Sequence, residues 1–256
     1  MSYLLIDIGN SFAKYVLYDG KKLSNIECTA TNQLIDNLPE FEQSSETMIS
    51  KVIIVSVADE ALTSDLVKKL SELFQCQVQQ VKSTPSGFGV TCGYENFSLL
   101  GADRWVAILA AFNMNNIRED EAVLVIDCGT VVTADVIDHT GQHLGGWMIP
   151  SKDLMIESLV ARSGGIRHGM ENDSSEKQFS ASVKSGRTTQ QCVVSGTSLA
   201  LTGFIERCIS QSSQQLNSSV RCIVTGGGSD ELLKVLPEKV ESVPDLIFKG
   251  LILFCK

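Results

Sequence analysis

Leu4-Leu5-Ile6-Asp7-Ile8-Gly9-Asn10-Ser11 and Leu124-Val125-Ile126-Asp127-Cys128-Gly129-Thr130-Val131 are the two stretches that decide the fold. Each reads as an apolar strand that closes on a carboxylate, with a glycine two residues on and then a small polar side chain. A second strand follows each turn, Phe12 to Tyr18 in one copy and Val132 to Ile137 in the other. A pattern repeated about half a chain apart implies two related halves.

The bulk composition fits that reading. A hydrophobic fraction of 43% with 20% charged residues is ordinary for a soluble globular chain. The formal charge of −9 and the pI near 4.9 argue against a nucleic-acid partner, which needs clustered Lys and Arg, and favour a small-molecule ligand. No N-terminal signal pattern is visible, and no apolar run reaches the roughly 18 residues of a spanning helix, so no membrane partner and a cytoplasmic location are expected. Eight cysteines without a C-x-x-C pair read as reduced, buried thiols, Cys128 included.

Along the chain, strand and helix signals alternate, which implies α/β layers. Asp19-Gly20 marks a turn before a short strand near Leu23 to Cys28. Asn32 to Leu38 and Ser64 to Phe74 carry helical spacing, and Val52 to Val57 is a continuous apolar strand. Lys82 to Gly93, with Pro85, Gly87 and Gly89, reads as an irregular surface stretch. Trp105 to Phe112 is apolar all round and predicts a buried helix, with Asp103 and Arg104 in its first turn.

The polar stretch Asn113 to Glu121 separates the expected halves, 1–117 and 118–256. In the second half, residues 153–160 and Thr188 to Arg207 read as helices. Ser163 to Ser185 reads as a long loop or lid, and Val220 to Thr225 as a strand ending in Gly226-Gly227-Gly228. Ser229 to Leu236 reads as a short helix, and Leu246 to Phe254 is expected to pack on the core. His139 and His143 flank a Thr140-Gly141 turn and do not suggest a metal site; His168 is expected to face solvent.

A tight turn after a strand aims backbone N–H groups at one anionic site, and glycine permits close approach. Gly9 and Gly129 suit that role, and Asn10, Ser11 and Thr130 add side-chain donors. Carboxylates beside a phosphate make sense with a partly hydrated Mg²⁺ between them. The Gly226 to Gly228 cluster is either a surface for a flat base or ribose, or a simple turn.

This layout resembles the superfamily of actin, hexokinase and the heat-shock chaperone ATPases. The resemblance implies an α/β fold of two ribonuclease-H-like halves with ATP in the cleft between them. More specifically, Asp7-Ile8-Gly9-Asn10-Ser11, Tyr94-x-Asn96, Gly101-Ala102-Asp103-Arg104, Asp127-Cys128-Gly129-Thr130 and Gly145-Gly146-x-x-x-Pro150 resemble, in order, the type III pantothenate kinases. Gly186 to Thr189, Thr225-Gly226-Gly227 and Asp245 to Leu251 extend the likeness over nearly the whole chain.

The resemblance implies ATP-dependent phosphorylation of pantothenate, the first step toward coenzyme A, by a homodimer. It assigns ATP contacts to Asp7, Ile8, Gly9, Asn10, Ser11, Phe12, Ala13, Lys14 and Thr130. Pantothenate contacts fall on Tyr94, Gly101, Ala102, Asp103, Arg104 and Thr189. Asp103 matches the family's catalytic base, and Asp127 its ligand for K⁺ or NH₄⁺. Arg104 suits either the substrate carboxylate or the transferring phosphate oxygens. Phe97, Ser151 and Thr188 depart from the family's usual proline, glycine and asparagine. The alternatives are a non-catalytic regulatory relative, similar to Bvg accessory factors, or a kinase of the same superfamily for another hydroxyl substrate.

Overall fold

The computed structural model describes residues 2–38, 48–114, 120–171, 183–236 and 240–255. The chain divides into two compact units, one formed by Met1–Met114 with Asp245–Lys256 and the other by Asn115–Pro244.

The first unit is built on a five-stranded sheet in the order β3-β2-β1-β4-β5: β1 Ser2–Ile8, β2 Phe12–Tyr18, β3 Glu27–Ala30, β4 Ile49–Ser56 and β5 Gln77–Val81. β1 runs antiparallel to β2 and parallel to β4. The near-continuous apolar runs of β1 and β4 follow from burial on both faces. On one face Leu4, Ile6, Ile8 and Ile54 pack with Leu34, Leu38 and with Leu66, Leu70 and Phe74 of α1, Glu60–Phe74. On the other, Leu5, Ile53 and Val55 pack with Val106 of α2, Ala102–Phe112, and with Phe248 and Leu251 of α7, Leu246–Ile252. A Cβ on Gly250 would lie 2.4 Å from the Val106 carbonyl oxygen, so glycine is what lets α7 approach α2. A small hairpin of β6 Ser86–Gly87 and β7 Val90–Thr91 completes the unit.

The second unit repeats the arrangement. Its sheet has the order β10-β9-β8-β11-β12: β8 Ala122–Cys128, β9 Val131–Ile137, β10 His143–Pro150, β11 Val220–Thr225 and β12 Val240–Ser242. Leu124, Ile126, Val132, Ala134 and Val224 form a core with Leu201, Ile205 and Cys208 of α5, Thr189–Leu216, and Leu232 of α6, Ser229–Leu233. Beside it lie α3, Lys152–Arg162, and α4, Gly164–Glu171.

Three expectations change in detail. The stretch read as a long loop from Ser163 begins with α4, because only its later part is dense in Ser and charge; 172–182 lie outside the described residues. α5 extends nine residues past Arg207 to Leu216. By length and composition α5 could also cross a membrane, a property hidden from run counting by its Ser, Thr and Gln residues. Its apolar residues are nonetheless the ones packed on the second sheet.

Candidate active site

Side chains alternate between the two faces of a strand. Leu4, Ile6 and Ile8 point toward α1, so Asp7 shares the opposite face with Leu5, the face covered by α2 and α7. It stands at the C-terminal end of β1, half-buried, opposite Lys14 in the β1–β2 register. The turn that follows is tightly closed. The Gly9 N–H donates to the Phe12 carbonyl at 3.0 Å, and the buried Thr31 donates its hydroxyl to the Gly9 carbonyl at 2.9 Å and its N–H to the Ser11 carbonyl at 3.0 Å.

Gly9 therefore shapes the turn with its amide already used within it, and the exposed tip is Asn10, Ser11 and Phe12. Ile8 and Ala13 are core side chains and can meet a ligand only through backbone. Thr31 was missed in the sequence, since a threonine far from the turn carries no local signal of it.

The Gly101-Ala102-Asp103-Arg104 element opens α2 on the same side of this sheet. Asp103, half-buried in the first turn, accepts the Arg104 N–H on Oδ1 at 2.7 Å. That bond serves a helix start whose N-cap, Gly101, has no side chain to offer. A Cβ on Gly101 would lie 2.6 Å from Asp103 Oδ1 and 3.9 Å from Val57 Cγ1, and the Val57 N–H donates to the Ile8 carbonyl at 3.0 Å. Asp103 is thus linked through Gly101 and Val57 to the strand end that carries Asp7. Arg104, only 7% exposed, donates from Nη1 to the Tyr94 hydroxyl at 2.8 Å, with its guanidinium carbon 5.5 Å from the Tyr94 ring centroid. Asn96, beside Tyr94, accepts the N–H and hydroxyl of Ser98 and caps the turn Phe97–Leu99.

In the second unit, Asp127 and Thr130 flank the turn after β8; Asp127 is half-buried and Thr130 exposed. Gly226, with φ +91°, packs on this turn: a Cβ there would lie 2.5 Å from Asp127 Oδ1 and 2.6 Å from the Cys128 nitrogen. The Gly228 N–H donates to the Cys128 carbonyl at 3.0 Å, and Ser229 closes the glycine run on the Gly226 carbonyl. The third glycine cluster is therefore a turn fastened to the second one. Burial and the Asp127 carboxylate push the Cys128 thiol up to about 12, which makes it an inert core group.

Thr189 begins α5 against Gly169 of α4, where a Cβ would meet its hydroxyl at 2.6 Å. Thr188 and Ser151, two of the unusual residues, cap α5 and α3 by accepting the Gln191 and Leu154 N–H groups. Among the described residues no three His, Cys, Asp or Glu side chains converge as a preformed metal site. Single half-buried carboxylates such as Asp7 and Asp127 suit a cation that completes its oxygen shell with phosphate and water.

Comparison with known proteins gives consistent results. The sequence model of the type III pantothenate kinase family matches residues 3–211. A type III pantothenate kinase of Pseudomonas fluorescens is 34% identical over 255 residues, covering 98% of both chains. Among solved structures, a Campylobacter jejuni protein of the Baf family, named as a transcriptional activator, superposes with a TM-score of 0.60 at 19% identity, over 98% of this chain and 96% of that one. A ROK family glucokinase from Streptomyces griseus, solved with glucose and AMPPNP, gives 0.58 at 13% identity over 99% of each chain. These two likenesses show the fold alone, an α/β architecture shared with a ROK family glucokinase.

The contact between Gly226 and Asp127 leads to a direct test. Gly226→Ala adds a methyl group in a left-handed backbone conformation against a carboxylate and a backbone nitrogen. It is expected to destabilise the protein by about 2 to 4 kcal/mol, read as a lower urea midpoint. An unchanged midpoint would show that this contact is not required.

Proposed function

Because this chain belongs to the type III pantothenate kinase family, and so phosphorylates pantothenate to 4′-phosphopantothenate with ATP, we propose that Asp103 is the general base of that reaction. The carrying observation is the placement of its carboxylate, in the first turn of a buried helix that packs on the β1 face shared by Leu5 and Asp7, where it accepts the Arg104 amide. An ionised carboxylate is acceptor-only, with about four lone-pair sites, which suits a group that takes up a proton. Asp103 takes the proton of the primary hydroxyl as that oxygen attacks the γ-phosphorus, and the bond to the ADP leaving group breaks.

Arg104 supplies fixed positive charge. Its bond to Tyr94 and its burial orient the guanidinium before substrate arrives, which suits an anionic group of pantothenate or of the transferring phosphoryl. The phosphate contacts are the exposed tip residues Asn10 and Ser11, Lys14 on the following strand, and the exposed Thr130. When bound, Mg²⁺ offsets phosphate charge; Asp7 is the residue assigned to hold it through its hydration shell. Asp127 is the oxygen ligand for K⁺ or NH₄⁺, and Thr189 a contact to pantothenate.

The active species is a homodimer in the cytoplasm. Supporting the dimer, the second unit has a cavity of about 530 Å³ lined by Pro150, Leu154, Met155, Leu159, Val193 and Ala200, with Leu159 and Leu199 exposed nearby. An apolar patch of this kind suits a second copy of the chain.

Three measurements check these assignments. Asp103→Asn should lower kcat by roughly a thousandfold, the scale of a lost general base, while ATP binding persists; near-normal turnover would sink the assignment. Turnover should require K⁺ or NH₄⁺, and Asp127→Asn should remove that requirement together with most activity; cation-independent wild-type turnover would count against Asp127. Sedimentation should show a dimer that Leu199→Glu converts to monomer, whereas a monomeric wild type would refute the dimer. If ATP bound without any turnover of pantothenate, the regulatory reading would gain instead.

A further inference from the structure

β10 pairs with β9 out of simple step. His143 stands opposite Ile137, but Gly146 rather than Gly145 stands opposite Asp135, so β10 carries one extra residue. This is a β-bulge, and Gly145 within it has φ +93°. Beyond the bulge the pairing runs in regular steps to Pro150 opposite Val131. Slipping a strand by one residue turns every side chain to the other face, so the bulge decides which residues of β10 stand beside the turn after β8. The junction reaches that turn directly, because the Ser151 N–H donates to the Thr130 carbonyl at 3.3 Å.

A buried polar pair spans the bulge. His143 Nε2 lies 3.0 Å from Asp135 Oδ1, with His143 fully buried and Asp135 2% exposed. His143 precedes the extra residue on β10, and Asp135 faces Gly146 just after it. Gly146 has no room for a side chain, since a Cβ would lie 2.1 Å from the Ala134 carbonyl oxygen and 2.7 Å from Asp135 Oδ1. A slipped register would carry His143 away from Asp135 and break this buried hydrogen bond. Buried ionic or polar pairs add little net stability compared with apolar packing; their best-attested use is to specify register.

We propose that the Asp135–His143 pair pins the register of β10, and that both residues are thereby positioning residues for the second phosphate turn. The proposal rests on the reading of Thr130 as an ATP contact. Neither side chain touches nucleotide; they act through β10, the Ser151 amide and the Thr130 carbonyl. The pair thus has a role distinct from that of Asp127, which shares its strand face two residues nearer the turn.

The experiment compares His143→Leu, His143→Gln and Thr130→Ala by hydrogen exchange of the apo protein and by steady-state kinetics. Gln places an amide nitrogen near the position of Nε2 and keeps the bond to Asp135. The Leu variant should speed exchange across residues 143–151 and 129–132, leave the β1–β2 hairpin unchanged, and raise KM for ATP about tenfold with a smaller change in kcat. The Gln variant should restore both readouts toward wild type. Wild-type exchange in the Leu variant overturns the register pin. Faster exchange with an unchanged KM for ATP, while Thr130→Ala raises that KM, overturns the link to the turn. An unaltered KM in Thr130→Ala means that the Thr130 reading itself has failed, and exchange alone then decides the pin. If His143→Leu does not fold, His143→Asn, too short to reach Asp135, takes its place.

Discussion

The alternation of side chains along a strand buried on both faces is the constraint on which the rest depends. In β1, Leu4, Ile6 and Ile8 must fill the core beneath α1, and Leu5 the core beneath α2 and α7. A carboxylate in such a strand is tolerable only at its end, and parity then determines its face. Asp7 is consequently delivered to the α2 side at the strand's C-terminal edge. The first turn of α2 supplies Asp103 on that same side, linked through Gly101 and Val57. Open α/β sheets hold ligands outside the carboxyl ends of their strands, and the sheet packing here leads to the same place.

The two units share sheet order and turn pattern yet use them differently. In the first, Thr31 and the Gly9–Phe12 bond close the turn, and the proposed general base lies on the neighbouring helix. In the second, the glycine run at 226–228 closes on the turn from the side, and the edge strand β10 is fastened to it at Ser151. One duplicated scaffold is therefore fastened in two ways, because different segments brace the same strand–turn–strand unit.

Much of this was legible in the sequence. The duplicated strand-Asp-x-Gly pattern indicated two halves of one topology, and the apolar run from Trp105 predicted a helix whose residues 105–111 are buried. Arg104 and Tyr94 could be singled out, but their mutual bond could not, since it joins residues ten apart across an irregular stretch. Long-range contacts were the general blind spot. Nothing adjacent to Thr31, Gly226 or Gly146 indicates that each touches a turn or strand far away in sequence. The same holds for His143, where only its neighbours at the turn were visible and its burial against Asp135 was not. Gly9 shows the reverse error. Its presence in a turn was legible, but the destination of its amide depended on the closure of the hairpin.

Burial separates the carboxylates into two groups. Asp7, Asp103 and Asp127 are half-buried at strand ends or a helix start. There a charge keeps part of its hydration and remains within reach of a ligand, while the surrounding protein strengthens its interactions. Asp135 lies on the same sheet face as Asp127, two positions further along the paired strand, yet it is 2% exposed and bonded to an imidazole with no exposed surface. A carboxylate so enclosed meets no diffusing substrate, and its effect must pass through the backbone it holds. Reading exposure together with partner, rather than residue type alone, separates the aspartates proposed to meet ligands from the one proposed to align a strand.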